Sequence, residues 1–185
     1  MDRLFYDEKY LLDPEDYEIR YSINKNVLYV IRDNRNNIIG YISILPLSYD
    51  AYIRIKNGEI DKEVINKDNI ISDKESGEYF YWDSILIHPK FRKYGLGSKL
   101  VKFAFNNIIQ NQPKIKRILA HAISKGGVNI SKKYGLVYKK TIDKDVIVLE
   151  RAFHKKVSKK KKYKDKSKIE LKKKRLPRSY YLNML

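Results

Sequence analysis

The chain has 185 residues, enough for one domain with a short extension, and its hydrophobic content of 43% is enough for a core. The absence of cysteine excludes disulfides, thiolate metal ligands and a cysteine nucleophile. The net charge of +18 is concentrated at one end, because residues 151–185 hold 15 Lys or Arg against 2 Asp or Glu.

Other broad features narrow the class of protein. No stretch approaches the roughly 18–20 uninterrupted apolar residues of a membrane span, so we expect no membrane partner. The first residues lack the apolar segment of a secretory signal, and we expect a cytoplasmic protein. His88, His121 and His154 are scattered along the chain. We interpret them as surface or core histidines and expect no metal site.

The first half of the chain predicts a short helix and then a β-hairpin. Pro14 suits the first position of a helix, with Asp13 as its N-cap. Residues 26–32 and 37–47 are rich in β-branched and aromatic side chains and are joined by DNRN, which is typical of a hairpin. Residues 48–77 are polar and predict a helix over 50–56 within a long connection.

The second half predicts alternating strands and helices. The strands are dense in β-branched and aromatic residues and cover 78–88, 115–123, 136–142 and 145–153. Apolar residues recur at three- and four-residue spacing over 98–111, which predicts an amphipathic helix. A shorter helix is predicted over 128–134, and the position of Gly135 directly after it predicts a left-handed cap. The order of elements predicts an α/β (α+β) fold with a mixed sheet.

The segment RKYGLG lies between the central strand and the long helix, from Arg92 to Gly97. Small residues let main-chain N–H groups approach a ligand, and the start of a helix favours an anion. Arg92 and Lys93 add positive charge to the same loop. The spacing matches neither a P-loop nor a dinucleotide fingerprint. The segment therefore predicts a different kind of phosphate-binding loop.

Arg92-Lys93-Tyr94-Gly95-Leu96-Gly97 resembles the acetyl-CoA loop of the GNAT N-acetyltransferase superfamily, whose pattern is Arg/Gln-x-x-Gly-x-Gly/Ala. The preceding SILIHPKF resembles the strand end that comes before that loop, and the order of elements agrees over residues 26–153. The resemblance implies a GNAT-like fold with a mostly antiparallel central sheet and one splayed parallel strand pair. We assign residues 1–153 to this domain and residues 154–185 to a basic C-terminal extension.

The resemblance also implies a donor site for acetyl-CoA as co-substrate. The pantetheine arm would pair with main-chain groups at Ile85, Leu86 and Ile87, and an N–H of Leu86 or Ile87 would hold the charge of the tetrahedral oxyanion. The other residues that it assigns to acetyl-CoA binding are Arg92, Lys93, Tyr94, Gly95, Leu96, Gly97, Ser98, Ser124 and Lys132.

Transfer to an amine needs an uncharged nucleophile, so we expect a general base or a water relay. Asp83 is the first candidate and Glu78 the second. Strand alternation predicts that Asp83, Ile85 and Ile87 share one face. A solvated carboxylate, or one paired with a nearby lysine, is the alternative interpretation of Asp83.

Many GNAT members carry, four residues before the glycine that closes the second short helix, a tyrosine that protonates the leaving thiolate. In this chain that position is Ser131, and SKGGVNISKKYGL resembles a family variant in which Ser124, Gly127, Ser131 and Lys132 recur. Ser131 is therefore a candidate donor to the sulfur. Tyr134 and Tyr138 are further candidates, although Tyr134 also suits a core position. Because the usual tyrosine is absent, an alternative interpretation is a fold that binds acetyl-CoA but transfers the acetyl group slowly or not at all.

The lysine-rich extension allows three interpretations. In the first, the extension binds nucleic acid or the ribosome, with Tyr163 and the Tyr180–Tyr181 pair stacking on bases. In the second, it is a solubilising tail produced by biased codon usage. In the third, it forms a basic helix over about residues 166–174 that rests on the acidic N-terminal region.

The leading hypothesis is an acetyl-CoA-dependent N-acetyltransferase that acts on a primary amine of a small molecule, a protein or a charged tRNA. Acidic residues of the long connection would attract a cationic amine or form a solvated surface; they are Asp50, Glu59, Asp61 and Glu63. The alternative is a non-catalytic or weakly catalytic GNAT-like module whose basic tail engages nucleic acid or a large assembly.

Overall fold

The computed structural model describes residues 14–59, 65, 67–142, 145–153 and 181–184. The strands in this part of the chain are β1 (Leu28–Arg32), β2 (Ile38–Leu47), β3 (Tyr79–Ile87), β4 (Arg117–Ala122), β5 (Val137–Ile142), β6 (Val146–Ala152) and β7 (Tyr181–Met184). They form one sheet in the order β5-β6-β4-β3-β2-β1-β7. Neighbouring strands are antiparallel except for β3 and β4. The predicted mixed sheet with one parallel pair is confirmed.

The helices in the described residues are α1 (Pro14–Ile23), α2 (Tyr49–Asn57), α3 (Leu96–Asn111) and α4 (Lys125–Lys133). Side-chain caps fix where two of them begin: Ser48 accepts from the N–H of Ala51, and Ser124 accepts from the N–H of Gly127. The second cap makes α4 start three residues earlier than predicted. The predicted cap Asp13 lies outside the described residues. None of the described helices combines the length and apolar character that a membrane span needs.

The sheet has a buried core on each face. On one face, α3 packs its apolar side chains against the strands; the fully buried members of this core include Ile42, Leu100, Val101, Ala104, Ile118 and Leu149. On the other face lies α2, and that core includes Leu45, Tyr52, Ile55, Tyr81 and Leu119. Successive residues of a strand point to opposite faces, which is why neighbouring strand residues divide between the two cores.

The edge of the sheet beside β1 is occupied by β7. The two strands pair antiparallel from Tyr181 opposite Arg32 to Met184 opposite Tyr29. This strand lies within residues 154–185, the range predicted as a basic extension, and no strand was predicted there. The other features predicted for that range, including Tyr163, Tyr180 and the helix over 166–174, lie outside the described residues, as does His154.

Candidate active site

The parallel strands β3 and β4 pair over only part of their length. Their ladder runs from Tyr79 opposite Arg117 to Trp82 opposite Ala120. Beyond that point β3 stays paired with β2, and β4 stays paired with β6. The two strands therefore part at their carboxyl ends, as predicted, and a gap opens within the sheet. An extended ligand can enter such a gap and bond to main-chain groups as an added strand does.

A β-bulge lies in β3 where the gap begins. Trp82 and Ser84 pair with adjacent residues of β2, which are Ile44 and Ser43 respectively. Asp83 between them is therefore an extra residue in the ladder. A bulge of this kind shifts the alternation of side chains, so residues before and after Asp83 do not keep the phase of a regular strand.

The bulge makes one prediction wrong: Asp83 does not share a face with Ile85 and Ile87. Both isoleucines pack against the core on the α3 face. Asp83 lies on the opposite face, where its carboxylate is 3.4 Å from the guanidinium of Arg20 in α1. Glu78, the second candidate base, lies at the other end of β3 and pairs with Lys116. The carboxylate of Asp83 therefore does not lie on the face that the alternation predicted.

The predicted phosphate loop folds back on the end of β3. A 3₁₀ turn (Pro89–Phe91) follows the strand, and Arg92 Nε donates a hydrogen bond to the main-chain oxygen of Ile87 at 2.9 Å. Lys93 and Gly95 have left-handed φ angles of 67° and 76°. These two residues turn the chain into α3. The left-handed conformation favours glycine and is uncommon for lysine, so the loop holds local strain at Lys93.

The first turn of α3 has main-chain N–H groups that no side chain caps. Gly95 is the N-cap and forms no side-chain hydrogen bond. The first N–H groups of a helix have no partner within it, and the helix dipole places positive charge there. Lys93 is exposed beside them. The arrangement suits an anion with several oxygens, such as a pyrophosphate.

Gly97 leaves open space beside these N–H groups. A Cβ added there would lie 3.5 Å from Cδ1 of Ile130 and 3.7 Å from Cγ1 of Ile87, which are ordinary contact distances. Packing within the protein therefore does not require glycine at this position. The open surface is lined by Ile85, Ile87 and Ile130 and adjoins the end of the gap between β3 and β4. A ligand with a phosphate group and an extended apolar arm fits this combination.

A sequence profile described as the acetyltransferase (GNAT) family matches residues 1–125, which is more than half of the chain. This chain belongs to the GNAT acetyltransferase family. Among functionally curated proteins, no sequence relative is found.

Solved GNAT structures share the fold of this GNAT protein at low sequence identity. The loading GNATL domain of CurA from Lyngbya majuscula is 14% identical, with a TM-score of 0.65 over 82% of this chain and 88% of that one. The GphF GNAT-like decarboxylase in complex with isobutyryl-CoA is 13% identical, with a TM-score of 0.62 over 80% and 88%. The NatC complex bound to Gag peptide and CoA is 13% identical, with a TM-score of 0.57 over 82% and 85%. At these identities the likeness shows the fold alone.

The GNAT loop and strand residues predicted to bind acetyl-CoA fall into two groups. Residues 92–98 lie together at the start of α3, beside Ile85 and Ile87. The side chain of Leu86 points away from them into a small cluster on the other face with Val30 and Tyr41. Only the main chain of Leu86 is therefore available to a ligand in the gap.

The predicted residues of α4 have different surroundings. Ser124 is exposed and caps the helix through its oxygen. Lys132 is exposed, whereas Ser131 is buried and only 3% accessible. Lys133, which the sequence did not indicate, donates from Nζ to Ser98 Oγ at 3.0 Å. No local pattern in the sequence indicates this contact, because Lys133 and Ser98 are 35 residues apart in the chain.

Tyr134 joins the end of α4 to the first turn of α3. Its hydroxyl donates a hydrogen bond to the main-chain oxygen of Ser98, and its ring packs edge-on against Phe105 with centroids 5.8 Å apart. Burial raises the pKa of Tyr134, while the contact with Ser98 acts in the opposite direction. The phenol is therefore protonated at neutral pH and its proton is directed at the loop. Tyr138 is exposed.

The face opposite α3 carries a second polar cluster at the gap. Tyr81 of β3 lies with its hydroxyl 3.4 Å from Nδ1 of His121 in β4. Burial lowers the pKa of His121 to about 4, with Lys140 acting in the same direction and the main chain of Ile55 opposing it. The imidazole is therefore neutral at pH 7. The prediction of a surface or core histidine gave no sign that this ring lies where the strands part.

A buried carboxylate, Glu150 of β6, ties α2 to the sheet. It accepts from Lys56 Nζ at 2.7 Å, from an Arg117 nitrogen at 2.8 Å and from the hydroxyl of Tyr52. Burial by itself would raise the pKa of Glu150, but the bonds from Lys56 and Tyr52 and the nearby positive charges hold it at about 2. Sequence reasoning missed this cluster, because its members lie on three separate elements, α2, β4 and β6.

Proposed function

We propose that this GNAT protein transfers the acetyl group of acetyl-CoA directly to a primary amine. The observation that supports this most directly is the combination of uncapped N–H groups at the start of α3 with the gap between β3 and β4. The N–H groups suit the pyrophosphate, and the gap suits the pantetheine arm. In the reaction a nitrogen–carbon bond forms, the carbon–sulfur bond breaks, and CoA leaves as the thiol.

The residues of the donor site have distinct proposed roles. The N–H groups of residues 93–98 bind the pyrophosphate, with Arg92 and Lys93 contributing positive charge. Main-chain groups of Ile85 and Ile87 align the pantetheine arm, and an N–H of Leu86 or Ile87 stabilises the oxyanion of the tetrahedral intermediate. Ser124, the N-cap of α4, and Lys132 within α4 are assigned to extend the contact surface for the donor.

The departing thiolate needs a proton, and two predicted donors remain candidates in this proposal. Ser131 is buried in α4. The Tyr134 hydroxyl already donates to the carbonyl of Ser98, so it would have to leave that bond in order to serve the sulfur. Asp83 is engaged in an ion pair with Arg20, and a proton taken up by Asp83 would weaken that pair.

Calorimetry with acetyl-CoA tests the donor site. Gly97→Glu places a carboxylate among the N–H groups proposed for the pyrophosphate, and we expect it to weaken binding by at least about tenfold, the effect of roughly 1.4 kcal/mol. Asn106→Glu is the matched control, because it adds the same charge to an exposed position of the same helix. The assignment would be overturned if the wild-type protein did not bind acetyl-CoA, or if wild type, Gly97→Glu and Asn106→Glu all bound it with equal affinity.

The acceptor is tested by a screen that detects released CoA. The three amine classes to compare are small polyamines, peptides with a free N-terminus or lysine, and aminoacyl-tRNA. We expect release above the rate of acetyl-CoA hydrolysis with one class, and the product should carry the acetyl group on nitrogen by mass spectrometry. Binding of acetyl-CoA without release for any amine would contradict catalysis.

A second candidate function is a GNAT-like binding module that transfers slowly or not at all. Two observations favour it: Ser131 occupies the position where many members carry the proton-donating tyrosine, and 15 Lys or Arg lie in residues 151–185. Its basic segment would engage nucleic acid or a large assembly. Tight acetyl-CoA binding together with the absence of CoA release would support this function over acetyl transfer.

A further inference from the structure

Two buried polar atoms at the gap have no hydrogen-bond partner among the described residues: Ser84 Oγ and His121 Nε2. Both lie just beyond the last pair of the β3–β4 ladder, which is Trp82 opposite Ala120. Buried polar atoms are nearly always hydrogen-bonded, so unsatisfied atoms on both strands that border the gap indicate that a ligand or water belongs there. We take them as the starting point for an acceptor site.

Both atoms belong to the sheet face opposite α3. Ser84 is opposite Ser43 on β2, and the residues that flank Ser43 point into the α3-side core. His121 packs edge-on against Tyr81, which belongs to the core beneath α2. The phosphate loop is at α3, on the other side of the sheet. A donor that enters from the loop and passes through the gap would present its far end to Ser84 and His121.

The surroundings of this pair disfavour positive charge. Burial is the main reason that the pKa of His121 falls to about 4, and Lys140 of β5 adds repulsion. The groups that face the ring from other elements are the neutral phenol of Tyr81 and the main chain of Ile55 in α2. The Asp83 carboxylate on this face is paired with Arg20. An ammonium placed beside His121 would meet the same penalty as the imidazolium.

We propose that Ser84 Oγ and His121 Nε2 bind the acceptor nitrogen and select a primary amine in its uncharged form. The inference rests on the proposed acetyl transfer. In the tautomer whose Nδ1–H donates to the Tyr81 oxygen, Nε2 keeps its lone pair and accepts one N–H of the amine. Ser84 Oγ accepts the other N–H, which leaves the lone pair of the amine directed away from both atoms and toward the thioester.

In this proposal no carboxylate is needed to remove a proton from the acceptor. An ammonium acceptor loses one proton to water before it binds, because the site favours the neutral amine. As the nitrogen–carbon bond forms and the carbon–sulfur bond breaks, a second proton passes from the nitrogen to the sulfur, and CoA leaves as the thiol. Asp83 then acts through its pair with Arg20, which anchors β3 to α1.

NMR tests the site without depending on turnover. Full-length protein with ¹⁵N-labelled histidine contains three histidines, and His121→Gln identifies the signals of His121. With acetyl-CoA bound, we expect a neutral ring in the Nδ1–H tautomer, and an Nε2 signal that shifts on addition of propylamine at pH 8.5. Trimethylamine, which has no N–H to donate in its neutral form, should leave the signal in place. A protonated ring at pH 7, the other tautomer, or no response to propylamine would overturn the proposal.

Kinetics with the amine found by the screen provide the second test. Ser84→Ala and His121→Leu should lower kcat/KM for the amine by about 10–100-fold, because each removes an acceptor from the nitrogen. His121→Gln should recover part of the loss, since its amide oxygen can accept. The affinity for acetyl-CoA should change less than about twofold in all three, which separates this site from the donor site.

The pH profile distinguishes a site that selects neutral amine from one that contains a base. In wild type, log kcat/KM should rise with a slope of 1 until the pH reaches the pKa of the amine itself, with no inflection from the enzyme between pH 6 and 9. Asp83→Asn should keep this profile. An inflection lost in Asp83→Asn, or full activity in His121→Leu, would refute the inference while acetyl transfer stands. Failure of wild type to bind acetyl-CoA would refute the proposed function instead.

Discussion

Tyr134, the residue that follows α4, donates a hydrogen bond from its phenol to the main-chain oxygen of Ser98 in the first turn of α3. Lys133 contacts the side chain of the same serine. The end of α4 is therefore fixed to the start of the helix that carries the phosphate loop. This relationship gives Tyr134 a structural role in addition to the catalytic one predicted from the sequence, and the two roles can be separated.

Tyr134→Phe removes the hydroxyl and keeps the ring against Phe105. We expect a loss of about 1 kcal/mol in the free energy of unfolding, which lowers Tm by about 2–4 °C in a protein of this size. Turnover should fall by less than about tenfold, whereas loss of a proton donor would cost about 10²–10⁴-fold. Thermal melts and single-turnover rates measure the two effects.

The control for this prediction is Tyr138→Phe, which removes a hydroxyl from an exposed ring. It should change neither Tm nor turnover. A hundredfold loss of turnover in Tyr134→Phe with an unchanged Tm would show that the phenol serves the sulfur, and would assign the proton-donor role that Ser131 otherwise keeps.

The lowered pKa of Glu150 predicts how the free energy of unfolding depends on pH. Its pKa is lowered from 4.5 to about 2 in the fold, so the folded state binds fewer protons than the unfolded state between these values. Stability from this group is therefore complete above about pH 5 and is lost as the pH falls to about 2. Glu150→Gln should cost roughly 3 kcal/mol at pH 7 and should flatten this part of the curve. Urea unfolding from pH 2 to 7 measures the difference between the two proteins.

Glu59→Gln is the matched control, because Glu59 pairs with Arg54 at 2.8 Å on the surface. An exposed pair contributes less than about 1 kcal/mol, so this variant should follow the wild-type curve closely. If Glu150→Gln and wild type lost stability in parallel between pH 5 and 2, the buried cluster would not be the origin of the pH dependence.

Local signals in the sequence were sufficient for most of the fold. The three- and four-residue apolar spacing predicted α3, and Gly135 has the predicted left-handed conformation, with φ of 84°. The phosphate loop was also predictable, since it depends on a short segment and on the elements next to it. Each of these features is determined by residues close together in the chain.

The features that the sequence did not reveal depend on distant partners. The bulge at Asp83 follows from the register between β2 and β3, and the partner of Asp83, Arg20, is 63 residues away. His121 acquires its surroundings from Tyr81, 40 residues away. Alternation within one strand carries no information about such contacts, which is why the predicted face of Asp83 was wrong.

Deletion of residues 181–185 tests the pairing of β7 with β1. The deletion exposes the edge of β1 and removes the ladder between Tyr29–Arg32 and Tyr181–Met184. Because each main-chain hydrogen bond has a net value of about 1 kcal/mol and the ordering of the strand offsets part of it, we expect a fall of a few degrees in Tm. Deletion of Leu185 alone is the control and should leave Tm unchanged. Equal melting of all three proteins would mean that β7 adds no stability.

The position of β7 also determines how the nucleic-acid hypothesis has to be tested. Truncation after Phe153 would remove β7 together with the lysines, so a loss of RNA binding could come from a weakened fold. Replacement of the twelve lysines in residues 155–174 by glutamine removes the charge and keeps residues 181–184. If this segment binds RNA, wild type should bind a single-stranded oligonucleotide with a slope of log K against log salt of about −0.7 per phosphate contact, and the glutamine variant should lose both affinity and slope. Fluorescence anisotropy at several salt concentrations measures both. Equal affinity and equal slope would exclude nucleic acid as the partner and favour a solubilising segment.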